Sequence, residues 1–544
     1  MRKAYSLLGL CLLVAAGALQ AQTRYLDPMF DVEFTENAAV YGQNFNVQLG
    51  QVTPLTADLY TPAGDTTDQL RPVVVVFHTG NFLPAYFNGS AYGTKRDSVN
   101  VTILNELVSR GYVGMSATYR FGWQPLADDQ SIRTGSLLRA VYRASQDAHA
   151  MARYLRKTVA EDGNPFQIDT SRIVFYGIGS GGYLVQAHNF LDDVDQIAAN
   201  DQFYDAMGNV LVNVDTIGNV EGTNQTPFNQ PNHVGYSSDV ALTVNLGGAL
   251  GDSLWIDGAD NEAPFFATHS ATDPFAPYYY GLVTVPTDPP RPVVNVPGSR
   301  LVVEICNEEG VNDVLIPANE VPLPSIFSPL STQVNAIVNA YEGITYQNPV
   351  PGSSQDVFPL GVDNLWSVVR QGPTAGSAGV LGSSWNWFDE ARLRFIINAT
   401  NQQVPGANIN ADVIIAGEGR TNPNFNNPAA AKAEIDTILA HFYPRAWYAL
   451  DLESLTSTED VVTATAVGFT VAPNPASEFL MLTTDEGYPM RDVTLYDLNG
   501  RLVQRQLSVN STRYRLERGT LPRGAYVLRI RTDRGVAARK VILE

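Results

Sequence analysis

The chain has 544 residues, of which 44% are hydrophobic and 10% aromatic, so it has room for two or three domains and is too apolar to be disordered. It contains 35 Lys and Arg residues and 55 Asp and Glu residues, and the resulting formal charge of −20 argues against a nucleic-acid partner. Cys11 and Cys306 are the two cysteines, and loss of the first with a leader would leave one thiol.

The first predicted element is a signal peptide over residues 1–21. Arg2 and Lys3 precede a short apolar run, Leu7 to Ala18, that ends in small residues, as is typical of secretory leaders. No other stretch has the roughly 18 apolar residues that span a bilayer. The sequence therefore predicts an exported protein without a transmembrane segment.

Residues 22–450 alternate between apolar β-like runs and segments of helical period, the pattern of an α/β domain with a doubly wound, mostly parallel sheet. The predicted strands are Leu59–Thr61, Val73–Phe77, Tyr112–Tyr119, Ile173–Tyr176, Leu242–Leu246, Pro264–Thr268 and Val314–Ile316. A helical stripe runs from Leu137 to Leu155, with His149 off the stripe and expected in solvent. A late helix is predicted to begin at Asn427-Pro428.

Residues 322–426 interrupt this alternation and are rich in Pro, Gly, Ser and Asn. A structureless loop of this length is uncommon, so we predict an insertion that forms a lid or subdomain. Its aromatic residues Trp366, Trp385, Trp387 and Phe388 are expected in the core of that insertion, and a ligand-stacking platform is the alternative. The polar residues 451–465 are predicted to form a linker.

The last segment, residues 466–544, has a different character. It contains 12 Lys and Arg against 8 Asp and Glu residues, and its apolar runs are short and separated by turns. This pattern predicts a small antiparallel β-sandwich. The predicted strands are Phe479–Leu482, Val493–Asp497, Leu502–Gln506, Tyr514–Leu516, Ala525–Arg531 and Arg539–Leu543.

Three motifs in this segment occur in order and end the chain: Pro473-Asn474-Pro475, Leu495 to Arg501 (LYDLNGR), and Gly524-Ala525-Tyr526-Val527 with Lys540-Val541-Ile542. The segment resembles the type A C-terminal sorting domain of the type IX secretion system. The resemblance implies that residues 466–544 contact that secretion machinery and that the protein is secreted or attached to the outer cell surface. A carbohydrate-binding sandwich is the alternative.

Three further motifs follow predicted strands of the larger domain: Phe77-His78-Thr79-Gly80-Asn81, Gly177-Ile178-Gly179-Ser180-Gly181-Gly182, and His269-Ser270-Ala271-Thr272-Asp273. Together they resemble the α/β-hydrolase fold, in its carboxylesterase and lipase-like branch. The resemblance implies that the loop of His78, Gly80 and Asn81 is the oxyanion loop, where backbone N–H groups approach a developing negative charge. In that loop His78 is structural.

The second motif matches the nucleophile elbow, which reads Gly-x-Ser-x-Gly-Gly in the family. When the motif is aligned to this pattern without a gap, its glycine positions are Gly177, Gly181 and Gly182, and Gly179 stands in place of the serine nucleophile. Small residues are needed two places on either side of the nucleophile, because the strand and helix backbones nearly touch there. Ser180 as nucleophile would put Ile178 in a crowded place, so it is the fallback.

The third motif places Asp273 at the acid position of a triad, where it would orient an imidazole. In the family the histidine follows the last strand. With Val314–Ile316 as that strand, Glu320 stands where the histidine should be. His441 is the one histidine further along, and a packing role in the late helix is expected for it.

Two acidic clusters lack the spacing of a known calcium loop, and we expect both to be solvated faces: Asp192, Asp193, Asp195 and Asp201, and Asp257, Asp260 and Glu262. No metal and no cofactor are predicted.

The sequence thus predicts a secreted α/β-hydrolase-fold pseudoenzyme, without nucleophile and base, that serves as a binding or surface protein. Its ligand would be an ester, a polysaccharide or an apolar compound. Two alternatives stay open, an active carboxylic-ester hydrolase that uses Ser180 and a surface adhesin that uses the fold as a scaffold.

Overall fold

The computed structural model describes residues 23–320, 381–456 and 462–544 except 499 and 508, together with 323–327, 330, 345–347, 357–370 and 379. The predicted signal peptide, with Cys11, lies outside the described residues.

The described residues form strands in two groups, of which the second begins near residue 470. The strands are β1 Asp31–Asn46, β2 Gln51–Ala63, β3 Arg71–Phe77, β4 Val113–Ala117, β5 Ile168–Ile178, β6 Leu242–Leu246, β7 Phe265–Ser270, β8 Tyr280–Val285, β9 Arg291–Pro297, β10 Thr345–Gln347, β11 Val357–Pro359, β12 Leu365–Val368, β13 Thr470–Ala472, β14 Phe479–Thr483, β15 Asp492–Asp497, β16 Leu502–Gln506, β17 Arg513–Glu517, β18 Gly524–Thr532 and β19 Gly535–Leu543.

The helices precede the second group of strands. They are α1 Ser98–Val108, α2 Gln130–Glu161, α3 Ser180–Phe190, α4 Val194–Ala198, α5 Val214–Ile217, α6 Ser299–Glu308, α7 Glu390–Gln403, α8 Ala411–Thr421, α9 Pro428–Ala449 and α10 Glu453–Thr456.

The larger domain is built on an eight-stranded sheet in the order β1-β2-β4-β3-β5-β6-β7-β12. The strands from β4 to β12 in this order are parallel, and β1 and β2 are antiparallel. Helices α2, α3 and α6 cover one face, and α1 and α9 cover the other. Strands β3, β4, β6 and β7 are buried along their whole length, which explains their continuous apolar sequences. The predicted α/β fold class is confirmed.

The strand predicted at Val314–Ile316 is wrong, because Asp313–Ala318 forms a 3₁₀-helix. An apolar triplet is too short for its period to separate strand from helix, and Pro317 has no N–H for a ladder. The strand beside β7 is β12, which pairs in parallel with it from Leu365↔Ala267 to Val368↔Ser270. Because β12 lies within residues 322–426, that segment is more than an insertion: it also supplies one strand of the central sheet.

Parts of the same segment cover the loop that follows β3. Residues Leu393, Ile397 and Ile414 of α7 and α8 form a small apolar cluster with Ala91 and Tyr92. Earlier in the segment, Trp366 and Trp385 belong to the core under α9. Both tryptophans are buried, as expected, but in the core of the central sheet and not in a separate core of the insertion.

The prediction that His149 lies in solvent is wrong. Its side chain is 9% exposed, and the basic residues Arg143 and Arg153 of the same helix are 4% exposed. The loop that precedes β6 covers this face of α2, and the Arg153 guanidinium donates to the carbonyls of Asn232 (3.0 Å) and Val220 (2.9 Å). Helical period alone does not reveal a loop that packs over the polar face.

The C-terminal domain is a β-sandwich, and each of its six predicted strands is present. Its sheets, β13-β14-β17 and β16-β15-β18-β19, enclose a separate apolar core. Within the predicted linker, Asp451–Thr456 pack against this domain, whereas 457–461 lie outside the described residues. Asp451 accepts from Arg529 at 2.7 Å, and Glu453 accepts from Arg505 at 2.9 Å and Arg531 at 3.0 Å. In the part of the chain that the structure describes, no helix combines the length and apolar character of a membrane span.

Candidate functional site

A sharp turn joins β5 to α3 at the carboxyl edge of the central sheet. Gly179 alone separates Ile178 from Ser180, with φ 54° and ψ −113°. Residues with a side chain rarely adopt this backbone conformation. The Gly179 N–H donates to the Leu246 carbonyl at 2.8 Å, which ties the turn to β6.

Close backbone contacts surround this turn. A Cβ atom on Gly177 would lie 2.2 Å from the Gly181 carbonyl oxygen, and one on Gly181 would lie 2.1 Å from the Phe77 carbonyl oxygen. A Cβ atom on Gly182 would lie 2.2 Å from Asn245 Oδ1. Since real Cβ atoms do not approach other heavy atoms so closely, the turn requires glycine at all three positions.

The space beside Gly179 is filled by a side chain of the loop after β3. A Cβ atom on Gly179 would lie 2.3 Å from Thr79 Oγ1 and 3.0 Å from Thr79 Cβ. The threonine hydroxyl thus lies where the side chain of a residue at the turn would begin. The sequence motifs did not connect Thr79 with Gly179, which lies 100 residues further along the chain.

The loop after β3 contacts the start of α3 through Ser180. The Asn81 N–H donates to Ser180 Oγ at 3.1 Å, and Trp123 Nε1 donates to the Asn81 carbonyl at 2.7 Å. Gly80 has φ 137° and Asn81 has φ 56°, so both adopt the left-handed region. His78 stacks on Tyr119, and burial lowers its pKa to about 4, so it is neutral at pH 7.

The Ser180 hydroxyl is held in a closed hydrogen-bond chain. Tyr119 donates its proton to the His78 carbonyl at 2.7 Å, and its oxygen lies 3.0 Å from Ser180 Oγ. A phenol has one proton, so Ser180 is the donor to Tyr119 and accepts from Asn81. Burial raises the pKa of Tyr119 above its ordinary value, so the phenol stays neutral. A neutral phenol is a poor base for taking a proton from a nucleophile.

Asp273 follows β7, and its side chain hydrogen-bonds to the backbone of its own loop. Its Oδ1 accepts from the N–H groups of Phe275 (2.7 Å) and Ala276 (3.1 Å). Burial raises its pKa to about 7, against these two hydrogen bonds, which lower it. The neighbouring His269 is also buried and bonds to Ser299 Oγ (2.5 Å) and the Ala276 carbonyl (3.2 Å), so it holds the loop in place.

Among the described residues, no histidine side chain is hydrogen-bonded to the side chain of Ser180 or Asp273. Glu320 follows a 3₁₀-helix and not a strand of the sheet, so the reason for placing it at the histidine position does not hold. Residues 369–380, which follow β12, contain no histidine. His441 is buried in α9 against Phe266, near the amino end of β7 and away from the carboxyl edge.

Residues 57–280 match the BD-FAE family model, and residues 470–544 match the secretion system C-terminal sorting domain. The chain carries an esterase-like α/β-hydrolase domain and a type IX sorting domain. The sorting domain directs the hydrolase-like protein to the cell surface or the extracellular space and implies contact with the secretion machinery.

Several solved structures of esterase 2 from Thermogutta terrifontis are similar to this hydrolase-like chain. The enzyme phosphorylated by paraoxon is 18% identical, with 53% of this chain and 82% of that chain covered and a TM-score of 0.29. The butyrate-bound form is 17% identical, with 53% of this chain and 83% of that chain covered and a TM-score of 0.30. No curated protein matches the sequence.

The packing of Thr79 against Gly179 predicts an energetic coupling between the two positions. Gly179→Ser alone should destabilise the protein by about 2–3 kcal/mol, because the new Cβ atom meets Thr79 and carries backbone strain. In Thr79→Gly/Gly179→Ser the clash is absent, so we expect a favourable coupling of at least about 1 kcal/mol, measured by urea unfolding.

The control for this double-mutant cycle of Thr79 and Gly179 is Gly64→Ser, at a glycine with φ 73° and open space around it. That change measures backbone strain without a clash and should not couple to Thr79→Gly. A coupling of zero between positions 79 and 179 would contradict the packing described.

The buried Asp273 predicts a pH-dependent stability. The folded protein keeps the proton to about pH 7, whereas the unfolded chain loses it near its ordinary pKa of 3.8. The contribution of Asp273 to the free energy of unfolding therefore falls as pH rises from about 4 to about 7. Asp273→Asn does not titrate, so its stability relative to wild type should rise over this interval by about 2–4 kcal/mol in urea unfolding.

The exposed Asp195→Asn is the control for Asp273→Asn, and its difference from wild type should stay within about 0.5 kcal/mol at every pH. An Asp273→Asn stability, relative to wild type, that stays constant or falls between pH 4 and pH 7 would contradict the raised pKa of Asp273.

Proposed function

We propose that this protein is a catalytically degenerate α/β hydrolase that acts as a secreted binding or surface protein. The observation that carries the proposal is the pairing of Gly179 with Thr79 at the strand-to-helix turn. The family's nucleophile would stand at Gly179, and that position has no side chain. The threonine that fills the space belongs to the oxyanion loop, where small residues are needed.

The state of Ser180 supports the same proposal. As the first residue of α3 it accepts from the Asn81 N–H, one of the groups that an oxyanion loop would offer to substrate. Its own proton points to the Tyr119 hydroxyl. A serine without a neighbouring base is a weak nucleophile at neutral pH.

Asp273 adds a second, independent argument. An acid that orients an imidazole must be ionised and must accept from that ring. Asp273 instead accepts two backbone N–H groups and holds its proton to about pH 7, the value to which burial raises its pKa. We infer that Asp273 now stabilises the loop after β7.

The match to the BD-FAE family favours a second candidate, an active carboxylic-ester hydrolase with Ser180 as nucleophile. This function would need a base, and the described hydrogen-bond partners of Ser180 are the Asn81 N–H and the Tyr119 hydroxyl. It would also need a shift of the elbow by one residue, against the contacts of Gly177 and Gly181.

Fluorophosphonate labelling separates the two candidates. The full chain is treated with a fluorophosphonate and its intact mass is measured, with Ser180→Ala in parallel and thermal unfolding as evidence of a folded sample. We expect no adduct in either protein, because no described base activates Ser180. A stoichiometric adduct on wild type that is lost in Ser180→Ala would instead establish an active serine hydrolase.

A further inference from the structure

The C-terminal domain contacts the hydrolase-like domain through the turn that joins β15 to β16. Asp497, Gly500 and Arg501 belong to this turn, which completes the LYDLNGR motif. The Arg501 N–H donates to Asp497 Oδ1 at 2.9 Å, and the Gly500 N–H donates to the Asp497 carbonyl at 3.1 Å. These hydrogen bonds within the turn hold its shape, and we call it the motif turn.

Gly500 lies directly against β5, near the amino end of that strand. A Cβ atom on Gly500 would lie 2.6 Å from Ser171 Cβ and 3.2 Å from Ser171 Oγ. Its φ of 82° is also a value that residues with a side chain rarely adopt. Glycine at this position therefore lets the motif turn approach the hydrolase-like domain with no side chain between them.

Arg501 adds a polar contact beside Gly500. Its Nη2 donates to the Asp260 carbonyl of the hydrolase-like domain at 3.0 Å. Its Nε donates to Asp497 in its own domain at 3.2 Å, so the guanidinium group is oriented before it reaches across. The side chain is 18% exposed, and most of its surface is therefore covered by these contacts.

A second set of contacts holds the residues that follow α9. Three arginines of the C-terminal domain bond to two carboxylates there: Arg505 and Arg531 to Glu453, and Arg529 to Asp451. The Asp451 side chain is 4% exposed and that of Arg505 is 7% exposed. Water and salt screen buried ion pairs weakly, so loss of the two carboxylates would leave buried positive charge poorly compensated.

The segment that carries the two carboxylates is fixed to the hydrolase-like domain through β5. Arg172, the neighbour of Ser171, donates to the Leu450 carbonyl at 2.6 Å and to Ser454 Oγ at 3.0 Å. In addition, β16 contacts the 3₁₀-helix Asp313–Ala318. The motif turn and the arginines therefore contact neighbouring parts of one surface.

We propose that the hydrolase-like domain carries a binding site for the C-terminal domain, and that the two domains stay bound to each other when the chain between them is cut. The site consists of Ser171, the Asp260 carbonyl, Asp451 and Glu453, and it takes the motif turn and the arginines of β16 and β18. The charges are complementary, because residues 466–544 have 12 Lys and Arg against 8 Asp and Glu, whereas the whole chain has a formal charge of −20.

Cleavage of the full chain between the domains tests this proposal. Residues 457–461, which lie outside the described residues, are replaced by the recognition sequence of a site-specific protease. The cleaved chain is then studied by sedimentation velocity over a dilution series. We expect one species with the mass of the uncut chain and a Kd below about 10 µM. Two fragments that sediment separately at this concentration would overturn the proposal.

A methyl group at the motif turn locates the contact. Gly500→Ala meets Ser171 and should raise the Kd of the cleaved fragments at least about 10-fold. Gly519→Ala, at a glycine with φ 58° and open space around it, is the control and should change Kd less than about 2-fold. Equal Kd values would overturn the proposal. If circular dichroism shows that uncut Gly500→Ala is unfolded, Arg501→Ala takes its place, with the exposed Arg523→Ala as control.

Removal of the carboxylates tests the second set of contacts. Asp451→Asn/Glu453→Gln should raise Kd at least about 10-fold, because it leaves the arginines without their partners across the cut. Asp195→Asn/Asp201→Asn removes the same charge from exposed positions and should change Kd less than about 2-fold. Equal losses in the two double variants would show non-specific attraction between an acidic and a basic fragment and would overturn the proposal.

Discussion

The contact between the backbones of β3, β5 and α3 is the constraint on which the rest of the site depends. Gly181 lies against the Phe77 carbonyl, and Gly177 lies against the Gly181 carbonyl, so neither position has room for a side chain. This contact forces the chain into the sharp turn at Gly179 and brings the loop of Thr79 and Asn81 beside Ser180. The glycine frame is a packing requirement that holds whether or not the turn carries a nucleophile.

In this domain, the residues that packing requires differ from the residues that catalysis would require. Packing requires Gly177, Gly181 and Gly182, and all three are present. Chemistry would require a hydroxyl at position 179 and an imidazole hydrogen-bonded to Asp273. Position 179 is glycine, and no described histidine bonds to Asp273. Thr79 links the two demands, because a side chain there fits only where position 179 has none. The present pair thus keeps the turn packed without a side chain at position 179.

Much of the fold could be predicted from the sequence, since the buried strands are continuous apolar runs and the sandwich strands are bounded by turns. The elbow was visible because close backbone contact admits only glycine. Two features were missed because they depend on distant partners: four residues of β12 become a strand only beside β7, and His149 is buried by a loop from elsewhere in the chain. The Thr79–Gly179 contact likewise joins two segments 100 residues apart. The 3₁₀-helix at Val314–Ile316 was missed for a local reason, because an apolar triplet is too short to show its period.

Steady-state ester hydrolysis tests the central claim, that the fold persists without its chemistry, most directly. The full chain and Ser180→Ala are compared on p-nitrophenyl acetate and butyrate at pH 8, where Asp273 is ionised and any remaining triad would be most active. The account predicts equal rates for both proteins, no higher than for the same chain unfolded in urea. A wild-type rate that falls at least 100-fold in Ser180→Ala would contradict it.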